Sequence, residues 1–268
     1  MDVRKEYLSL NYKKVEKHLI SSLKSAFKRR GFTGAVIGIS GGIDSAVVLC
    51  LLSKALGVEN VYSFFMPYKS TSRKSFEDAN LVAVHAGVTL TKIDITESVD
   101  SYFKNELNPI RMRIGNKCAR ERMSILYDRS FKHSALVVGT SNRSEIVMGY
   151  GTQFGDLACA LNPLGDLWKT QIFLLAESMG IPGVIIKKKP SADLWENQTD
   201  EGEMGISYRE IDAIAYLYFE KGYVTEQINK LGYSYKKINV VLTAYERNEF
   251  KRQMPFIIKV NSNKFKGE

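Results

Sequence analysis

The sequence predicts an α/β fold, a doubly wound parallel sheet followed by a helical C-terminal part. Three observations lead to it. Runs at 35–37, 61–66, 89–95 and 135–139 read as strands, most of them apolar enough to be buried on both faces. Amphipathic or apolar segments of helical length alternate with them across short polar joins, the pattern of helices covering both sides of a parallel sheet. From about residue 206 onward the strand pattern stops and helical spacing continues, with turns at Gly222 and Gly232.

Each element has its own reason. Leu8, Tyr12, Val15, Leu19, Leu23 and Phe27 fall on one stripe of a helix over 8–29, with Lys13, Glu16, Lys17 and Lys24 mostly outside it. Gly31 and Gly34 end that helix before the first strand. The run 46–52 is apolar all round, so it reads as a buried helix, and Gly57 ends it. Pro67 closes the second strand, and a polar loop over 68–75 precedes a helix over 76–86. Two further helices, over 96–107 and 110–133, are split by Asn108-Pro109. Asn162-Pro163-Leu164-Gly165-Asp166 turns the chain into a helix over 167–179. The long polar stretch 187–205 shows neither period and has the length of a lid. The expected organisation is a single domain over 1–268. It comprises an N-terminal helix (1–31), a nucleotide-binding core (32–186), a mobile loop (187–205) and C-terminal helices (206–268).

The chemistry concentrates at Gly38-Ile39-Ser40-Gly41-Gly42-Ile43-Asp44-Ser45, between the first strand and the buried helix. Glycines let backbone N–H groups approach a ligand that a Cβ would block. The helix N-terminus adds unpaired donors and partial positive charge, which suits a phosphate or pyrophosphate. No Lys-Ser/Thr follows the second glycine and the spacing is not G-x-G-x-x-G, so the two commonest nucleotide loops are excluded. The bland reading is a strand–turn–helix corner with Asp44 and Ser45 as ordinary helix-start residues.

Other polar clusters follow at the ends of elements. Gly139-Thr140-Ser141-Asn142-Arg143-Ser144-Glu145 closes a buried strand and is expected to face the same crevice. Arg113, Asn116 and Arg120 can share one helix face, either for a ligand or as a solvated basic face. Gly149-Tyr150-Gly151-Thr152-Gln153-Phe154-Gly155-Asp156 is too glycine-rich for a helix or a central strand and reads as a functional loop. Lys169 sits in the first turn of its helix, where a cation opposes the helix dipole. Either it is held there for an anionic ligand, or it points into solvent at a cost of about a few tenths of a kcal/mol.

Composition sets limits. The 268 residues are 44% hydrophobic, enough for a sizeable core, and no apolar stretch approaches a membrane span. The start, Met1-Asp2-Val3-Arg4-Lys5-Glu6, is followed by an amphipathic pattern rather than a secretory one. Cys50, Cys118 and Cys159 are too scattered for a disulfide framework or a zinc ribbon, and Cys50 reads as core; the cytoplasm is the expected compartment. The formal charge of +9 is spread along the chain, with no aromatic-rich segment of the kind that binds RNA. Anionic small ligands use the same excess.

The spacing Ser-Gly-Gly-x-Asp-Ser after a strand resembles the PP-loop of ATP pyrophosphatases, which cut ATP to AMP and pyrophosphate. Four further stretches accompany it: Asn116-Lys117-Cys118-Ala119-Arg120, the 139–145 cluster, Gly155-Asp156, and Pro190-Ser191-Ala192-Asp193-Leu194-Trp195 with Gln198-Thr199-Asp200-Glu201. Together they resemble the NAD synthetase family in its short, ammonia-dependent form. The resemblance implies a Rossmann-like, adenine-nucleotide α-hydrolase-like fold, a homodimer with the dinucleotide at the subunit interface, and Mg²⁺. It also implies amidation of deamido-NAD by ammonia and ATP through an acyl adenylate. Residues Gly38, Ile39, Ser40, Gly41, Gly42, Ile43, Asp44 and Ser45, with Thr140, Lys169 and Ser191, would contact ATP. Asp44 and Glu145 would bind Mg²⁺, Arg120 and Lys251 would contact deamido-NAD, and Asp44, Lys169 and Asp156 would serve the chemistry. Two positions depart from the family pattern. Gln153 stands where many relatives have Lys, and Phe250-Lys251 stands for a His-Lys pair. The alternatives are another PP-loop adenylating enzyme, such as a tRNA-modifying or base-amidating one, and a non-catalytic nucleotide- or nucleic-acid-binding module.

Overall fold

A computed structural model describes residues 3–191 and 198–260 of the chain. In order, the elements are α1 (Val3–Leu8), α2 (Tyr12–Arg30), β1 (Gly34–Gly38), α3 (Ile43–Leu56), β2 (Val61–Phe65), α4 (Arg73–Ala86) and β3 (Leu90–Lys92). Then come α5 (Thr96–Tyr102), α6 (Arg111–Lys132), β4 (Ala135–Val137), α7 (Arg143–Met148), α8 (Lys169–Met179) and α9 (Gly183–Ile186). The C-terminal part holds α10 (Asp200–Met204), α11 (Tyr208–Ala215) running on as a π-helical turn (Tyr216–Glu220), α12 (Thr225–Lys230) and α13 (Tyr235–Arg247).

The sheet has the order β3-β2-β1-β4 and every pairing is parallel, with Ala35 opposite Val61 and Leu136, and Ser63 opposite Leu90. The chain steps outward from β1 through β2 to β3, then returns to the other side of β1 for β4. The carboxyl ends of β1 and β4 thus flank the topological switch point, where open α/β sheets bind ligands. Helices α2, α3, α4 and α8 cover one face, with Val47, Val48, Leu49, Leu51 and Leu52 of α3 fully buried among them. Helices α5 and α6 cover the other face around Val36, Ile95, Val99, Cys118 and Leu126. A third core joins α7, α11, α12 and α13 around Trp168, Ile211, Ile214 and Ile238. The helical tail is therefore packed onto the two elements that enter the switch point.

Several expected boundaries move. The first helix is two, because Asn11 caps α2 by accepting from the Lys14 N–H through its side chain. Glu16 is not outside the packed stripe: it is buried and takes an ion pair from Lys54 at 2.6 Å. The strand expected over 89–95 shortens to β3, an edge strand with β2 as its one partner. That over 135–139 shortens to β4, with Val138 adding a parallel bridge to Leu161. The helix over 96–107 stops at Tyr102, and Asn108, ahead of Pro109, takes φ 53. Ser72 starts α4 inside the polar loop over 68–75 by accepting from Ser75 N–H. The stretch 187–205 is not wholly irregular, since it contains α10, capped by Thr199. Residues 192–197 of that stretch, most of the Pro190-to-Trp195 motif, lie outside the described residues.

Candidate active site

The glycine–serine loop leaves β1 and wraps the N-terminus of α3. Gly41 has φ +79, and a Cβ there would lie 2.6 Å from the Ser75 carbonyl oxygen, so the turn rests directly on the first turn of α4. Gly42 caps α3 in an extended conformation without a side-chain bond, leaving the first-turn N–H groups facing forward. Ser45 Oγ donates to the Gly42 carbonyl at 3.0 Å, and Ser40 Oγ accepts from the Gly42 N–H at 3.2 Å. Gly38, Ile39, Ser40, Gly42, Ile43, Asp44 and Ser45 line a cavity of about 590 Å³. Gly41 does not. A Cβ on it would point at α4.

The second polar cluster meets the first. Asn142 and Glu145 form a capping box on α7, and the Asn142 amide also donates to Asp44 Oδ1 at 3.1 Å. Lys169 begins α8 and is 2% exposed, so it does not point into solvent. Its Nζ lies 2.5 Å from Asp44 Oδ2 and 3.6 Å from Glu145 Oε1, and 5.1 Å from the Tyr208 ring centroid. Burial alone would pull its pKa down, but Asp44 and Glu145 outweigh that and hold it above the ordinary value. Burial, with Asp44 nearby, pushes the Glu145 carboxyl up to about 8 against the pull of Lys169. Asp200, buried and bonded by the Tyr208 and Tyr150 hydroxyls at 3.0 and 3.2 Å, is raised by burial too. Three carboxyl groups thus gather about one ammonium, and a divalent cation beside them would favour their charged forms.

That arrangement bears on Mg²⁺. Among the described residues no group of three or more Asp, Glu, His or Cys converges into a metal cage. Mg²⁺ is commonly held by one or two carboxylates and completed by substrate phosphates and water. Asp44 and Glu145, both on the cavity wall beside the phosphate loop, fit that donor set.

The far end of the cavity is formed by the 149–156 loop against α6 and the segment after α13. Asp156 Oδ1 accepts from Thr152 N–H at 2.8 Å, and Thr152 Oγ1 donates to Asn116 Oδ1 at 2.7 Å. Lys251 Nζ donates to the Gly149 and Gly151 carbonyls at 2.8 and 3.0 Å, and burial lowers its pKa. Gln153 and Phe250, the two departures from the family pattern, touch: the Gln153 amide donates to the Phe250 carbonyl at 3.4 Å. Arg120 does not line the cavity. It stands exposed at the rim with its Nε 3.3 Å from the Gln153 carbonyl. Arg113 pairs with Glu106 instead of joining Asn116 and Arg120. Thr140, Ser191, Asp156 and Lys251 all line the cavity.

Some contributors had no signal as single positions. Tyr208 and Tyr150 read as helix and loop aromatics, and Asp200 as part of a motif without a role. Lys188, bonded to Asp78 at 2.9 Å and close to the Gly41 carbonyl, belonged to a lysine run indistinguishable from a solvated one.

A parallel sheet with a glycine–serine phosphate loop at its switch point, faced by acids and a buried lysine, defines a nucleotide-binding α/β enzyme of the PP-loop kind. The chain belongs to the NAD synthase family, whose model matches residues 15–255. It is 50% identical over 253 residues to the NH₃-dependent NAD⁺ synthetase of Fusobacterium nucleatum, covering 94% of this chain and 98% of that one. Among solved structures it is similar to the NH₃-dependent NAD synthetase of Campylobacter jejuni (TM-score 0.81, 32% identity, 94% of this chain and 100% of that one). It is also similar to the NMN synthetase of Francisella tularensis (TM-score 0.83, 30% identity, the same coverages).

Proposed function

We propose that Asp44, Lys169 and Glu145 form the adenylation centre of an ammonia-dependent NAD synthetase. The enzyme is a ligase that amidates deamido-NAD with ammonia, using ATP and releasing AMP and pyrophosphate. The observation that carries the residue assignment is the burial of Lys169 between two carboxylates, directly beside the phosphate loop.

A nicotinate carboxylate is a poor acyl donor, because its leaving group would be oxide. Its oxygen attacks the α-phosphorus of ATP, the bond to the β-phosphate bridging oxygen breaks, and pyrophosphate leaves. Ammonia then attacks the acyl-adenylate carbonyl, AMP departs, and the proton passes to solvent. The loop 38–45 amides hold the phosphates, and Ser40, Ser45, Thr140 and Ser191 line the same cavity. Two anions must approach, and the Lys169 ammonium, fixed in a dry site, stabilises the charge that builds between them. Mg²⁺, held by Asp44 and Glu145 together with phosphate oxygens, would supply further charge neutralisation. At the other end of the same cavity Asp156 positions the dinucleotide. Lys251 and Arg120 hold the loop that receives it.

A homodimer is part of this proposal. Leu107, Ile110 and Met112, around the start of α6, are 97%, 68% and 63% exposed, and Phe131, near its far end, is 91% exposed. Large apolar side chains left open to this degree would be covered by a second copy. No described helix is long and apolar enough to cross a membrane, and the cytoplasm, where ATP and ammonium are at hand, is the proposed compartment.

The test supplies deamido-NAD, ATP and ammonium to purified protein. AMP, pyrophosphate and NAD are expected in equal amounts; cleavage to ADP, or turnover without the dinucleotide, refutes the reading. Glutamine free of ammonium should not support turnover. Nicotinate mononucleotide, offered with ATP and ammonium in place of deamido-NAD, tests for the synthesis that names the Francisella relative. Sedimentation of Phe131→Glu against the unaltered protein tests the dimer.

A further inference from the structure

Asp212 lies in α11, 42 residues beyond Thr170, and does not line the cavity. It is completely buried, at 0% exposure, and so is Ser144. Its Oδ1 accepts the Ser144 hydroxyl at 2.5 Å, while Oδ2 accepts both the N–H and the Oγ1–H of Thr170, at 2.9 and 2.7 Å. Ser144 Oγ in turn accepts the Lys169 backbone N–H at 2.9 Å. One carboxylate therefore ties together the residue before Glu145 and the residue after Lys169.

The chemistry suits a carboxylate and nothing else among the common side chains. Ser144 and Thr170 sit in the first turns of α7 and α8, where N–H groups are unpaired and the helix dipole favours an anion. Three donors need two oxygens with several lone pairs, in a fixed geometry. With the two helix starts held on a single group, Glu145 and Lys169 have little freedom to shift relative to each other, and Asp44 is aligned through Lys169. We infer that Asp212 is a positioning residue for the reaction, setting the spacing of Lys169 and Glu145 from outside the site. The inference rests on the adenylation reading above.

Asp212→Asn keeps shape and volume but offers one oxygen. Whichever way the amide turns, either the Thr170 pair or the Ser144 hydroxyl loses its acceptor. Partners that orient active groups from behind typically cost 10–100-fold when altered, and a fall of about that size is expected in kcat for the Asn variant. KM for ATP and for deamido-NAD should stay within about threefold, since the phosphate loop and the 149–156 loop are untouched. Measurements belong well below the melting temperature, so that lost stability does not pass for lost catalysis. Wild-type kcat in folded Asp212→Asn, or raised KM with kcat intact, overturns the inference.

If Asp212→Asn does not fold, Thr170 decides. Thr170→Val removes the hydroxyl and keeps the N–H, whereas Thr170→Ser keeps both. A several-fold lower kcat in the Val variant with recovery in the Ser variant supports the positioning role; equal kcat in all three forms overturns it. Absence of adenylation in the unaltered protein would instead sink the adenylation reading.

Discussion

Lys169→Met replaces the buried ammonium with an apolar chain of similar length. Two effects follow from the geometry, and they are separable. In the free protein, Asp44 and Glu145 lose the cation that lies 2.5 and 3.6 Å away, while remaining largely enclosed. Removing one partner of a buried pair costs about 3–5 kcal/mol when the remaining charge has no escape. Here Glu145, already pushed up to about 8, escapes by taking a proton, so the lower part of that range is expected. For a chain of this size each kcal/mol moves Tm by about 2–4 °C, so a fall of roughly 6–12 °C at pH 7.5 is expected. That fall should narrow toward pH 6, where protonation is easier. In turnover, the missing charge at the reacting phosphate should cost about 10²–10³ in kcat, the size seen when one donor to a developing charge is removed. The assay is steady-state AMP release alongside scanning calorimetry at both pH values. A Lys169→Met protein with kcat within threefold of the original refutes the assignment of Lys169 to the transition state, whatever its Tm. An unchanged Tm would refute its role as the counter-ion of the two acids.

Three further predictions follow from the same geometry. Glu145 has a raised folded-state pKa, so the folded protein holds its proton more tightly than the unfolded chain. Its contribution to stability is most favourable at low pH and declines from about the unfolded value of 4.5 up to about 8. The melting temperature of Glu145→Gln without Mg²⁺ should therefore fall less steeply from pH 5 to 8 than that of the unaltered protein; parallel curves would count against it. Gly41→Ala must accept a positive φ and a Cβ 2.6 Å from the Ser75 carbonyl. The φ alone costs about 1–2 kcal/mol, and calorimetry should show a larger total loss together with a raised KM for ATP. Lys251→Met frees the Gly149 and Gly151 carbonyls. KM for deamido-NAD should rise several-fold while KM for ATP stays unchanged, and equal shifts in both would contradict a site at that end of the cavity.

What could be read without coordinates was local. A strand, a glycine–serine turn and a helix in succession produce a phosphate loop by backbone geometry, and alternation of apolar runs with amphipathic segments dictates a parallel sheet with helices on both faces. Asp44 and Glu145 stood out as acids after the ends of two buried strands and Lys169 as a cation in a first helical turn, but their roles came from the family resemblance. Packing over long sequence distances decided the rest. Whether Lys169 met water or two carboxylates depended on where α8 docks, and it packs on α2 and α3 along one side and, through Trp168, on the distant tail. Gly41 belonged to the loop by spacing, yet the approach of α4 turned it away from the cavity. Glu16 looked like a surface acid until α3 brought Lys54 to it. Asp212 drew no reading of its own, because nothing in a periodicity reports that two other helices will begin on its carboxylate. Hydrophobic spacing tells which face of an element is buried, and the identity of the partner across that face is a property of the whole chain.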